Sequence, residues 1–149
     1  ELIKKLTALS IPPLLDLLSC IENNKPPALI AQTGPTSYAR TLTKDDGFIR
    51  FETVRKILTN QTVAFEEYPL FIKEQIKKNN ITMQPFNHDF FHNFVRGLNP
   101  WPIVWTMLPN NKRLRIFETA IEDNNVRLTT IQLEGKTMST DSKFITRLL

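Results

Sequence analysis

The hydrophobic pattern changes period along the chain. Leu2, Leu6 and Leu9 share one helical face, and the pattern halts at Ser10-Ile11-Pro12-Pro13, where consecutive prolines interrupt a helix. A second helix is predicted from about Pro13. Its apolar positions Leu14, Leu15, Leu17, Leu18 and Ile21 cover more than half the circumference, and Asn23-Asn24-Lys25-Pro26-Pro27 ends it. Two short helices of this kind cannot bury their own apolar surface, and they imply a partner. From Lys25 to about Gly47 large apolar residues are few and Pro, Thr, Ser, Gly and Lys dominate, which predicts an extended linker.

Beyond the linker, Phe48-Ile49-Arg50-Phe51 is expected as a short strand, Thr53 to Leu58 as a short helix, and Glu66 to Lys78 as a clearer helix with Pro69 in its first turn. Asn87 is the expected N-cap of the best amphipathic helix, whose Phe90, Phe91, Phe94, Val95 and Leu98 lie on one face until Pro100 and Pro102 stop it. After Pro102 the pattern turns to strands. Ile103 to Leu108, Lys112 to Ile121 and Val126 to Leu133 are separated by Pro109-Asn110-Asn111 and Glu122-Asp123-Asn124-Asn125, whose Asn and Asp tolerate the positive φ of hairpin turns. The fold class is therefore α+β: helices followed by an antiparallel meander of three strands, with the Phe-rich helix on its apolar face.

Composition narrows the function. The 149 residues are 41% hydrophobic and 23% charged, which suits one ordinary domain or parts of two. No apolar run is long enough for a membrane span, and Glu1-Leu2-Ile3-Lys4-Lys5 does not form a signal peptide, so no membrane partner is expected. Cys20, the sole cysteine, excludes an internal disulfide and a multi-thiolate metal site; it is read as a buried, inert thiol in a reducing compartment, the cytoplasm. Four glycines, at 34, 47, 97 and 135, leave no phosphate-binding turn. His88 and His92 stand one helical turn apart, but no third ligand accompanies them, so they are read as a polar helix start and no metal is expected. The start at Glu1 reads as a piece of something longer.

The net charge of +4 permits an anionic partner. On the second strand Arg113 and Arg115 point to one face while Leu114 and Ile116 point to the other, which is how a sheet presents cations to phosphates and keeps its apolar side in a core. Arg96, Lys112, Arg127, Lys136, Lys143 and Arg147 add to the basic last third. In Asn99-Pro100-Trp101-Pro102, the tryptophan between two prolines is expected to be buried between the Phe-rich helix and the first strand.

That corner also carries a resemblance. Arg96-Gly97-Leu98-Asn99-Pro100-Trp101-Pro102 is similar to the Arg-Ala-Leu-Asn-Pro-Trp-Pro signature of the methionyl-tRNA formyltransferase family. Tyr38-Ala39-Arg40-Thr41-Leu42-Thr43-Lys44-Asp45-Asp46-Gly47 resembles the family's linker, and Gln132-Leu133-Glu134-Gly135-Lys136-Thr137-Met138-Ser139 its closing strand and turn. The proline-broken helices at the start resemble the last helices of its catalytic domain. The resemblance implies residues 1–24 closing a Rossmann-like catalytic domain, 25–47 as linker, and 48–149 as a partly open OB-like domain with a helical insert at about 52–86.

It further implies formyl transfer from 10-formyltetrahydrofolate, the co-substrate of the whole enzyme, to initiator methionyl-tRNA. No catalytic residue and no bound cofactor are expected in this chain, which alone should be inactive. Its expected partners are the tRNA and the absent N-terminal catalytic domain, and a monomer is expected. The candidate RNA-binding residues are Arg40, Lys44, Arg96, Lys112, Arg113, Arg115 and Lys136. Alternatives are a stand-alone RNA-binding module or the same domain of another folate-dependent formyltransferase.

Overall fold

The computed structural model describes the chain except residues 1, 29, 32, 35–39, 81, 83–84 and 142–149. Tyr38 and Ala39 of the linker motif, and Lys143 and Arg147 of the basic tail, lie outside the described residues. Two units are distinct, Glu1–Thr36 and Ser37–Leu149. No helix among the described residues is long and apolar enough to cross a membrane.

The first unit holds one helix, α1, Leu2–Glu22, where two were expected; Pro12 and Pro13 lie inside it. A proline removes one backbone donor, but α1 buries no residue, so the carbonyls one turn back stay open to solvent instead of being trapped without a partner. Asn24, at φ 51°, and the Lys25 amide donating to the Cys20 carbonyl (2.9 Å) close the helix where the Asn-Asn-Lys-Pro-Pro stretch predicts. Cys20 is half-buried, not buried as expected.

In the second unit the end of the expected linker is folded. Thr43 caps a 3-10 turn over Lys44–Gly47, with Asp46 and Gly47 buried. The expected strand at 48–51 reduces to a single parallel bridge from Phe48 to Trp105, because α2 (Phe51–Leu58) starts there. The helix expected over 66–78 is split: Phe65–Glu67 forms a 3-10 turn, and α3 (Leu70–Asn79) begins after Pro69. Steric conflict with the Pro69 ring keeps Tyr68 extended, at φ −61° and ψ 150°. Glu67 then serves the fold, accepting from Lys56 Nζ (2.7 Å) and the Ala64 amide (3.1 Å), while its carbonyl accepts from Thr53 Oγ1 (3.1 Å).

Asn87 caps α4 (His88–Leu98), its side chain accepting from the Phe90 amide as predicted. Strands β1 (Val104–Met107), β2 (Arg113–Glu122), β3 (Asn125–Leu133) and β4 (Met138–Ser139) follow in an open antiparallel sheet of order β1-β2-β3-β4. The short β4 adds a fourth strand to the expected three. Asp123 (φ 48°) and Asn124 (φ 60°) make the two-residue β2–β3 hairpin turn.

The inner face of the sheet supplies Val104, Leu114, Ile116, Leu128 and Ile131 to a core completed by Phe91, Phe94, Val95 and Leu98 of α4. Val54 and Ile57 of α2, Val63, Tyr68, Ile72 and Phe86 belong to the same core. Each fully buried side chain of this size contributes about 1.5 to 3 kcal/mol. Tyr68 Oη accepts from the Phe86 amide (2.9 Å), which joins the α3 region to the start of α4.

A candidate nucleic-acid interface on the outer face of the sheet

Strand alternation decides which side chains leave the core. Leu114 and Ile116 point inward, so Arg113 and Arg115 point outward. The register then lines up one row across all four strands: Trp105 opposite Arg115, Arg115 opposite Gln132, and Gln132 opposite Met138. A second row places Met107 opposite Arg113. The pairing is irregular between Ile116 and Glu118, where Phe117 is the extra residue. Past this bulge the facing residues swap, and Thr119 turns to α4, its Oγ1 2.8 Å from His92 Nδ1. The outward arginines are thereby confined to the first part of β2, beside β1.

Trp105 is pinned in place. Its Nε1 donates to the Lys44 carbonyl (2.9 Å), the Phe48 ring lies 4.7 Å away, and the Arg113 guanidinium covers it. Glu134 fixes Arg113 from the other side: its carboxylate accepts from the Arg113 amide (3.0 Å) and lies 3.8 Å from the guanidinium. Arg115 Nη1 donates weakly to Gln132 Oε1 (3.5 Å). Two hollows share Arg113 and Arg115. One, about 150 Å³, reaches Gln132 and Glu134; the other, about 330 Å³, reaches Lys44, Asp45, Trp101 and Trp105.

Trp101 corrects the expectation of a buried ring. It is 51% exposed, and its neighbour Pro102 takes the inward position. Both prolyl bonds of the corner, Asn99-Pro100 and Trp101-Pro102, are cis. Ile103 follows at φ 70°, a left-handed conformation that a β-branched residue adopts only when its surroundings impose it. Its amide donates to the Leu98 carbonyl (2.9 Å), and its own carbonyl lies against Gly47, where any side chain would collide with it.

The candidates named from sequence divide. Lys44, Arg113 and Arg115 meet around the larger hollow. Lys112 and Lys136 are exposed in turns flanking β2 and β3. Arg40 is engaged elsewhere: its guanidinium makes a two-pronged pair with Asp46 (2.7 and 2.6 Å) and reaches Glu74 (3.3 Å). These bonds, Asp46 first, raise the already high pKa of Arg40. Asp46 in turn is held below its usual carboxylate range by Arg40, against the opposing effect of burial, with help from the Thr43 amide (2.6 Å) and hydroxyl (3.1 Å). Arg96 lies at a separate cleft of about 620 Å³ with His92, Asn99 and Glu118. His88, read as part of a polar helix start, is buried. Trp105, Gln132 and Met138 were not among the candidates. The alternation of Val104, Thr106 and Leu108 with Trp105 and Met107 was the available signal for the first of them.

Residues 88–146 match the family described as formyl transferase, C-terminal domain. A methionyl-tRNA formyltransferase of Clostridium beijerinckii is 57% identical to this chain over 30 residues, which is 20% of this chain and 9% of that protein. The aligned stretch thus spans less than a tenth of the relative's length. No solved structure matches the chain. The matched stretch begins with α4 and takes in all four strands, so over residues 88–146 the chain is similar to a formyl transferase C-terminal domain.

Proposed function

We propose that this chain is the C-terminal portion of a methionyl-tRNA formyltransferase, and that the outer face of its sheet holds the initiator tRNA. A catalytic domain outside this chain would then move the formyl group from 10-formyltetrahydrofolate. The observation that carries the reading is the juxtaposition of Lys44, Arg113 and Arg115 with two tryptophans around one hollow. Cations beside aromatic rings on a sheet face are suited to phosphates and bases alike. The relative's name, with its tRNA substrate, supports the same assignment. The exposed apolar residues of α1, from Leu2 to Ile21, suit a helix that packs on a further domain. Formyl transfer needs a base held within hydrogen-bond reach of the reacting amine, and on this reading the outside domain supplies it, so the chain alone should not turn over 10-formyltetrahydrofolate.

The test is a titration of the full chain with initiator tRNA at several salt concentrations. Replacing Arg113 and Arg115 together by Ala should weaken binding to different tRNAs alike and reduce the salt slope by about one unit for each phosphate no longer neutralised. An unchanged affinity and slope would return both arginines to an ordinary solvated face.

A further inference from the structure

The chain has two tryptophans, and both line the hollow of about 330 Å³ with Arg113 and Arg115. We infer that this hollow takes one unstacked nucleotide of an RNA, its base lying on Trp101 and its phosphate on Arg113 and Arg115. The inference rests on the RNA-binding reading above and narrows it from backbone contact to a base.

Trp101 and Trp105 differ in what they have left to offer. Trp105 is committed, with its N–H on Lys44, one ring contact to Phe48 and a guanidinium above it. Trp101 is half in water, and no aromatic partner for it stands among the described residues. An indole with an open face is a stacking platform, and the two flanking prolines leave it little freedom to lose when a base settles on it. The hollow's size lies at the lower end of the range for small-molecule sites, about 300 to 1,000 Å³. Asp45 also lines the hollow and repels a phosphate, so the backbone is assigned to Arg113 and Arg115 and the base to Trp101. Bases inside a duplex present no free face, so the ligand is a nucleotide from a loop, an end or a single strand.

Tryptophan fluorescence reads this hollow directly, since both tryptophans of the chain line it. The full chain is titrated with a short single-stranded oligoribonucleotide and with a blunt RNA duplex of similar charge. Quenching by the single strand and not by the duplex is expected. By anisotropy of labelled RNA, Trp101→Ala should lower affinity for the single strand by about tenfold, with the salt slope unchanged, and Trp101→Phe should restore most of it. Arg113→Ala with Arg115→Ala should weaken both probes and lower the slope. Absence of quenching, or full single-strand affinity in Trp101→Ala while the arginine variant still binds weakly, would overturn the base pocket and leave the phosphate reading intact. If the arginine variant binds both probes normally, the RNA reading fails and the pocket with it.

Discussion

The guanidinium of Arg113 lies over the ring of Trp105, its central carbon 5.8 Å from the ring centroid. This contact joins β1 to β2 on the outer face and holds a cation at a fixed height above the sheet. Because the Trp105 N–H is bound to the Lys44 carbonyl, the same ring ties the 3-10 turn at 44–47 to the sheet. One side chain therefore aligns Lys44, Arg113 and the mouth of the larger hollow.

Glu134 is an anion inside this basic surface, pairing with Arg113. Glu134→Gln keeps an acceptor for the Arg113 amide and removes the charge. If the outer face holds tRNA as proposed, affinity for it should rise roughly two- to fivefold at low salt, and the gain should fade as salt screens it. No change at low salt would place Glu134 outside the RNA path.

Asp46 links Arg40 and Thr43 in a nearly buried cluster. Its folded pKa is depressed, so its contribution to stability is present above the unfolded value, about 3.9, and is lost as pH falls through the folded value. Denaturant melts of Asp46→Asn should show less loss of stability between pH 7 and about pH 3 than the parent chain. Asp46→Ala should cost about 1.5 to 3 kcal/mol at pH 7, the range for hydrogen bonds to a charged group. Equal acid sensitivity of parent and Asn variant would show that Asp46 is not a proton-linked support.

Gly47 is needed for space, because a Cβ there meets the Ile103 carbonyl and approaches Trp105 Cδ1 at 3.4 Å. The obstacle is backbone and cannot rotate away. Gly47→Ala should therefore destabilise by about 1 to 3 kcal/mol and also disturb the hollow that Ile103 and Trp105 border. A melting curve matching the parent's would mean the turn shifts freely.

Thr106 is fully buried in β1, and its hydroxyl finds no hydrogen-bond partner among the described residues. Thr106→Val keeps the shape and removes the unsatisfied group, so stability should rise by about 1 kcal/mol. A loss of stability of that size would reveal a partner for the hydroxyl.

Local chemistry was enough for the elements whose signals lie within a few residues. Asn87 caps α4 and Phe91, Phe94, Val95 and Leu98 form its buried face, because a helix's periodicity and its end groups are both short-range. Asp123 and Asn124 announce the hairpin, and the alternation through Arg113, Leu114, Arg115 and Ile116 announces which face is polar. The corner signature around Asn99-Pro100-Trp101-Pro102 was likewise legible, and the domain match over 88–146 agrees with it.

Tertiary contacts decided the rest. Arg40 looks like any linker cation in sequence, but Asp46 and Glu74, the latter on α3, close on it in space. Pro12 and Pro13 read as a helix break, yet α1 runs through them, and with none of its residues buried the carbonyls that lose a donor are not trapped. For Trp101, composition argued burial, since large apolar rings are usually inside. Which of two adjacent residues turns inward at a corner depends on the packing of α4 against β1, and there Pro102 takes the core while Trp101 is left facing solvent beside the arginines.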